Sequence, residues 1–321
     1  MALSESELIA RYFRGCGAER GDVVLGVGDD AAVLECPPGA QLVATTDTLV
    51  AGVHFPPSVP AAAVGHRALA VNLSDLAAMG ARPAWALLAL TLPEALEHWL
   101  AEFAAGFASL ARAHDVALVG GDTTRGPLTV TVQLLGHVPH GRALTRAGGR
   151  PGDLLFVSGS PGDAGAGLAI EQGRLAAPAA AAAYLRERFL LPTPRVALGE
   201  RLREHARACI DVSDGLLGDA GKLAAASGVG LEIRFEELPV SRALVQALGP
   251  DGARELALTA GDDYELAFAV EPARAAELER ALPRGEWNYR QIGVLRAAAG
   301  AVVTRGGTVM EFSHSGYQHF A

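Results

Sequence analysis

Lysine is almost absent from this chain. Lys222 is the only one, and the remaining basic residues are arginines. It lies in 218-GDAGKLAA-225, without the spacing or the following Ser/Thr of a Walker A loop, and no strand lysine in a V-A-I-K context exists. P-loop NTPases and protein kinases are excluded. Cysteine is scarce too: Cys16, Cys36 and Cys209 are scattered, odd in number and lack metal-ligand spacing. That excludes a disulfide scaffold and points to a reduced, cytoplasmic protein. No basic run interleaves with aromatics and the formal net charge is −9, so no nucleic-acid partner is expected. The Ala-rich stretch 175-LAAPAAAAAYLRERF-189 is broken by Pro178 and falls short of the roughly 20 apolar residues of a membrane span. The start, MALSESELIARYF, lacks the basic and apolar regions of a signal peptide.

What is present is Ala, Gly and a 50% hydrophobic content over 321 residues, which suits two domains of α/β (α+β) layers. In the first half, strands are expected near 23–27, 31–34, 42–46, 85–92, 117–119 and 128–138, with helices near 62–79 and 94–114. The Gly/Arg-rich joint 141-GRALTRAGGRPGD-153 divides the chain into domains 1–140 and 141–321. The second half restarts with a strand at 154–158 and the turn 159-GSPGDAGAG-167. A turn between strand and helix can cradle phosphate, although such turns are also common connectors. Further strands are expected at 208–212, 230–235, 265–270, 291–294 and 301–304. A helix within 213–228 is expected to be capped by Ser213 or Asp214.

Carboxylates stand at the ends of apolar elements. In 25-LGVGDDAAVL-34, Asp29 and Asp30 sit in a hairpin turn, for which Gly and Asp are ordinary residues. Asp47 follows Thr45 and Thr46 at a strand end. Asp75 falls on one helical face with Val64, Ala68 and Val71 and points partly inward. Asp122 ends a strand after Gly120 and Gly121, and Asp211 alternates with apolar neighbours, sharing a face with Ser213. Asp122 and Asp214 could serve as caps and Asp47 as an Asx turn, but an unpartnered buried carboxylate at Asp75 is costly. Two carboxylates about 4 Å apart repel by roughly 4 kcal/mol at an effective dielectric near 20, so converging ones need cations. Asp and Thr oxygens without a His/Cys pattern suit Mg²⁺, possible also for Mn²⁺, with substrate phosphates completing the shell. That chemistry points to an ATP-using enzyme.

The segments 26-GVGDDAAVL-34, 45-TTDTLVAGVHF-55, 71-VNLSDLAAMGA-81, 120-GGDTTR-125, 151-PGD-153, 194-PR-195, 211-DVSDGL-216, 261-GDDYEL-266 and 316-GYQHF-320 together resemble the thiamine-monophosphate kinases. These belong to the superfamily of aminoimidazole ribonucleotide synthetase and selenophosphate synthetase. The resemblance implies two α/β domains, with the N-terminal sheets of a homodimer pairing into a barrel-like core and ATP between the domains. It implies transfer of the ATP γ-phosphoryl onto thiamine monophosphate, the last step of thiamine diphosphate biosynthesis. By the same resemblance Mg²⁺ falls to Asp30, Thr45, Thr46, Asp47, Asp75, Asp122, Asp211 and Asp214. Nucleotide contacts fall to Gly121, Asp122, Arg146 and Ser213, and substrate contacts to His54, Asp262 and Tyr317. No general base is assigned, and Asp29 receives no role beyond the turn. Two positions depart from the family pattern: 260-AGDDYEL-266 replaces GGEDYEL, and Tyr317 stands where Trp is usual. Asp keeps the charge on a shorter arm, and Tyr keeps an aromatic face for a cationic ring. The alternatives are another ATP-dependent synthetase of the superfamily, or a non-catalytic nucleotide-binding regulator. Cys16 is followed by Gly-Ala-Glu-Arg, which disfavours selenophosphate synthetase.

Overall fold

The computed structural model describes residues 4–312, 316 and 317, so the 318–320 part of the C-terminal motif lies outside the described residues. The chain forms two compact units: one running to Arg142 without Ala77–Gly80, the other made of Ala77–Gly80 and the chain from Ala143.

The first unit opens with one helical turn, α1 (Glu5–Leu8), followed by a wider π turn, Ile9–Phe13. β1 (Val23–Leu25) and β2 (Val33–Leu34) form an antiparallel hairpin with Val23 opposite Leu34. Then come β3 (Ala40–Val50), α2 (Ala61–Ala78), β4 (Arg82–Leu92), α3 (Glu97–Ala113), β5 (Ala117–Arg125) and β6 (Thr129–Pro139). The sheet order is β3-β6-β4-β5, antiparallel except for β4 with β5.

Side chains alternate across such a sheet, so its two faces have different lives. One face buries Ala86, Leu88 and Leu90 of β4 and Val130, Val132 and Leu134 of β6. Leu76 of α2 packs against Gly136 on that side. α2 and α3 approach closely, because a methyl at Gly65 would strike the Phe103 carbonyl and one at Gly106 the Ala62 carbonyl. On the other face, Leu42, Ala44, Thr46, Thr48, Ala89 and Gln133 are exposed. The hairpin covers only one end of it, where Val23, Ala32 and Leu34 pack with Trp85, Leu87 and Leu135.

In the second unit the order is β7 (Leu154–Ser158), α4 (Asp163–Glu171), α5 (Ala179–Leu190), α6 (Val196–Leu202), β8 (Ala208–Val212), α7 (Leu216–Ala226), β9 (Gly230–Arg234), α8 (Arg242–Thr259), β10 (Glu265–Val270), α9 (Ala275–Ala281), α10 (Arg284–Trp287), β11 (Tyr289–Arg296), β12 (Gly300–Arg305) and β13 (Thr308–Met310). Its sheet runs β13-β12-β9-β11-β7-β10-β8, and only β9 and β12 are parallel. α8 bends at Gly249 (φ 73°, ψ 170°) just before Pro250, which cannot donate to the helix. The core includes Val157, Ile210, Leu223, Ile233, Leu258 and Ile292, and a satellite under α4, α5 and α8 holds Ile170, Leu185 and Leu244. Both units are thus mixed layers of helix and sheet. Among the described residues, no helix is long and apolar enough to cross a membrane.

Candidate active site

The first unit sorts the expected metal residues by sheet face. Thr45 and Asp47 project with Leu49 toward the helix side of β3, where Leu49 is buried. There the Thr45 hydroxyl donates to Asp75 Oδ2 at 2.5 Å, so the inward-facing carboxylate of α2 has a strand partner. Thr46 and Asp122 face the other way. They line a cavity of about 840 Å³ with Asp29, Asp30, Gly121 and Gln133, above an apolar floor that includes Phe13, Leu87 and Val119. Within the hairpin turn the Asp29 carboxylate accepts the Asp30 N–H at 2.8 Å, which fixes the turn and leaves the exposed Asp30 carboxylate at the cavity.

Asp122 pairs in register with Ala89, which faces Thr131, which in turn faces Thr48. Asp122 is therefore three strand spacings from β3, about 14 Å along a flat sheet. Gly121 is held at φ +151°, and a Cβ there would collide with the Leu88 carbonyl, so only glycine lets β5 run this close to β4. His54 lies in the turn after β3. Its Nδ1 accepts the Val50 N–H at 3.0 Å, which leaves Nε2 as the ring atom that carries the proton.

In the second unit the end of β8 gathers several expected residues. Asp211 is buried on the strand opposite Leu266. Beyond it, the loop 213–215 and the loop 260–264 are zipped together: Asp262 N–H donates to Ser213 O and Tyr264 N–H to Val212 O, each at 2.8 Å. Gly261 has no room for a side chain, since a Cβ would run into the Ser213 carbonyl. Tyr317 N–H donates to Asp214 O at 2.9 Å, which brings the exposed phenol ring to the same loop. Ser213, Asp214, Asp262 and Tyr317, drawn from three separate segments, thus meet in one place. Arg146 is exposed, its carbonyl held by Ser227 Oγ at 3.0 Å, one residue from the Thr145 carbonyl that accepts the Cys209 N–H of β8.

The cap expected at Ser213 or Asp214 is a correction. The residue before α7 is Gly215, and the anion at this helix start is Asp219, one turn inside it. Its buried Oδ2 accepts the N–H groups of Ser213, Asp214 and Gly215 at 3.0, 2.9 and 3.1 Å. Those donors have no intrahelical partner, and the helix dipole favours negative charge beside them. Lys222 then bridges Asp219 Oδ1 and Asp214 Oδ2 at 2.8 and 2.6 Å, and these two hydrogen bonds hold its pKa up against the opposing effect of burial.

Other residues that sequence reasoning missed form a buried network beside this loop. Asp163, Asp263 and Glu265 are 0%, 2% and 0% exposed. Glu265 receives Arg195 at 2.6 Å through two nitrogens, Arg188 at 3.1 Å and the Ser158 hydroxyl at 2.5 Å. Asp163 accepts the hydroxyls of Tyr184 and Ser241 at 3.1 and 2.6 Å, and burial pushes its pKa up to about 6. Asp263 accepts the N–H groups of Gly162 and Ala164 at 2.6 and 3.2 Å. Burial raises its pKa well above the ordinary 3.8, and the two N–H donors oppose that shift. The glycine-rich turn 159–167 thus does hold an acid side chain at a helix start, but it is the chain's own Asp263. Asp262 and Tyr264 flank it at φ 69° and 52°, a conformation that costs a non-glycine residue about 1–3 kcal/mol each. The only signal in the sequence was the density of acids in GDDYE.

A separate polar groove of about 770 Å³ in this unit is lined by Arg234, Arg254, Arg284 and Arg290. Arg290 is paired with Glu237, Arg284 with Glu279 and Arg254 with Asp251, so its positive charge is largely compensated.

The donor set suits a hard divalent cation, being carboxylate and hydroxyl oxygens throughout. Among the described residues no three His, Cys, Asp or Glu side chains are grouped to hold an ion on their own. An ion here would complete its shell with water and substrate oxygens, as Mg²⁺ commonly does.

Family models match both units: AIR synthase related protein, N-terminal domain, over residues 28–138, and the corresponding C-terminal domain over 150–305. Over its whole length the chain is 48% identical to 99% of the thiamine-monophosphate kinase of Escherichia coli K12. It belongs to the thiamine-monophosphate kinase family. Among solved structures, the thiamine-monophosphate kinase of Stenotrophomonas maltophilia K279a superposes with a TM-score of 0.84 at 48% identity, covering 91% of this chain and 93% of that one. AaThiL complexed with AMPPCP and TMP gives a TM-score of 0.79 at 34% identity, covering 92% of each chain. The fold extends beyond the thiamine-monophosphate kinases, since hydrogenase maturation protein HypE in complex with ATP matches at a TM-score of 0.76 with 21% identity.

Proposed function

We propose that this chain phosphorylates thiamine monophosphate with ATP, giving thiamine diphosphate and ADP by direct transfer of the γ-phosphoryl group. The observation that carries this reading is the full-length 48% identity to a thiamine-monophosphate kinase, joined to the 34% identity with AaThiL in its complex with AMPPCP and TMP. Neither rival class, a superfamily synthetase or a silent nucleotide binder, has comparable support.

The accepting oxygen belongs to a phosphate and is already anionic, so no residue is required as a general base. The obstacle is the approach of two negative groups. In the first unit Asp30, Thr46 and Asp122 at the cavity and Thr45, Asp47 and Asp75 on the helix side are the residues that would hold Mg²⁺; in the second unit they are Asp211 and Asp214. Bound Mg²⁺ supplies neutralisation of phosphate charge and stabilises the charge on the transferring group. Gly121 offers close backbone approach to a nucleotide, Ser213 a hydroxyl, and Arg146 a guanidinium for phosphate oxygens in place of the missing lysine. His54, with its proton on Nε2, contacts the substrate as a hydrogen-bond donor. Asp262 and Tyr317 present a carboxylate and an aromatic face to the cationic thiamine ring.

The uncovered sheet face bearing Leu42, Ala44 and Thr48 supports a homodimer in which two such sheets pair. A cytoplasmic setting fits the unpaired cysteines Cys16, Cys36 and Cys209. Incubation of the protein with ATP, Mg²⁺ and thiamine monophosphate tests the reaction. Thiamine diphosphate and ADP in equal amounts are expected; ATP hydrolysis unaffected by the acceptor overturns the reading.

A further inference from the structure

We infer that Asp263 is a positioning residue for the acceptor substrate: its carboxylate, locked on the first turn of α4, sets the backbone of loop 260–264 so that Asp262 is presented beside Ser213 and Tyr317. This inference rests on the kinase reading and deepens it.

Three observations carry it. First, Asp263 is buried and spends both carboxyl oxygens on the start of α4, accepting Gly162 N–H through Oδ2 and Ala164 N–H through Oδ1. A hold by two oxygens on two donors, with one residue between them, fixes direction as well as distance. Second, the residues on either side both have positive φ, so the chain reverses sense at Asp262 and again at Tyr264. Such a backbone persists only where its surroundings over-determine it. One restraint is the pair of N–H bonds to Ser213 O and Val212 O; the other is Asp263. Third, the result of that twist is a directed Asp262 side chain, whose Oδ1 accepts the Tyr264 hydroxyl at 3.1 Å. Release of Asp263 from α4 lets both residues relax toward negative φ, and Asp262 turns away from Ser213 and Tyr317. Asp263 itself is closed off from substrate, so its effect passes through Asp262.

The test uses the full-length enzyme and separates the two Michaelis constants. In Asp263→Asn the amide accepts one N–H and sets its own NH₂ against the other. The KM for thiamine monophosphate is expected to rise at least about tenfold while the KM for ATP stays within about twofold, a split that general loosening does not produce. In Asp262→Ala with Asp263→Asn, the KM is expected to match that of Asp262→Ala alone, because a residue acting through another adds nothing once that partner is gone. Asp263→Glu, which keeps both accepting oxygens on a longer arm, is expected to show a smaller rise of the same kind. Ser241→Ala loosens Asp163 without touching Asp263, and its KM values are expected to stay at wild-type levels. Full multiplication of the two single effects in the double variant, or equal changes in both KM values, overturns the inference. So does failure of both Asp263→Asn and Asp263→Glu to fold, which would assign Asp263 to the core. Wild-type enzyme that makes no thiamine diphosphate overturns the kinase reading and this inference with it; wild-type turnover matched by Asp263→Asn overturns the inference alone.

Discussion

The Thr45 hydroxyl reaches across from β3 to α2 and donates to Asp75 at 2.5 Å. A short hydrogen bond of this kind aims a half-buried carboxylate toward the strand. Asp75→Asn keeps the volume and removes the charge. It is expected to lower kcat by about 10²–10³-fold, the scale of one lost electrostatic contact to a transition state. The melting temperature should stay within a few degrees of wild type, read by circular dichroism. Near-normal turnover would remove Asp75 from the metal set.

Lys222 neutralises Asp214, so any cation arriving at Asp214 must compete with it. The pair is partly exposed, with side chains 47% and 40% accessible, and exposed pairs are worth about 0.2–1 kcal/mol. Lys222→Ala is therefore expected to lower the half-saturating Mg²⁺ concentration by about 1.5–5-fold. A Mg²⁺ titration of initial rate measures it, and an unchanged midpoint separates Asp214 from cation binding.

Asp163 carries a pH signature. Its pKa is raised from the ordinary 3.8 to about 6 by burial, so the folded chain holds a proton that the unfolded chain releases between those values. More protons bound in the folded state means that stability from this group is greatest below about pH 4 and is lost as pH climbs toward about 6, by up to about 1.4 kcal/mol per pH unit. Asp163→Asn should flatten that limb of the denaturant-midpoint profile, and an unaltered slope would assign it to Asp263, which shifts in the same direction.

Gly121→Ala places a methyl on the Leu88 carbonyl at a φ that side chains avoid. Strain of about 1–3 kcal/mol or the parting of β5 from β4 follows. A drop in thermal midpoint with a raised KM for ATP is expected; a variant with wild-type values in both would show that β5 can shift freely here.

The strands at Leu154–Ser158, Ala208–Val212 and Glu265–Val270 were legible to the residue, because each is a short apolar run closed by Gly, Ser or charged residues. β3 and β5 extend beyond expectation because polar residues stay in the ladder: Asp47 and Thr48 pair with Val132 and Thr131, on a sheet with one open face. α8 was passed over, since Gly249-Pro250 interrupts its period. The inward lean of Asp75 followed from helical spacing. The roles of Asp219, Asp263 and Glu265 did not, because their partners are set by the tertiary fold: Glu265 meets Ser158 across 107 positions of chain and Arg195 across 70. No local pattern encodes which of several neighbouring acids turns inward.

The start of α4 is a cradle whose occupant is tethered. A free phosphate ion dissociates on dilution, whereas a side chain of the same polypeptide stays at a fixed and very high local concentration. The turn will therefore ignore inorganic phosphate, sulfate and nucleotides in its surroundings, however abundant they are. A strand-to-helix turn that elsewhere serves as a receptor serves here as a rivet, and a buffer screen in which phosphate leaves the second unit's stability untouched is its visible mark.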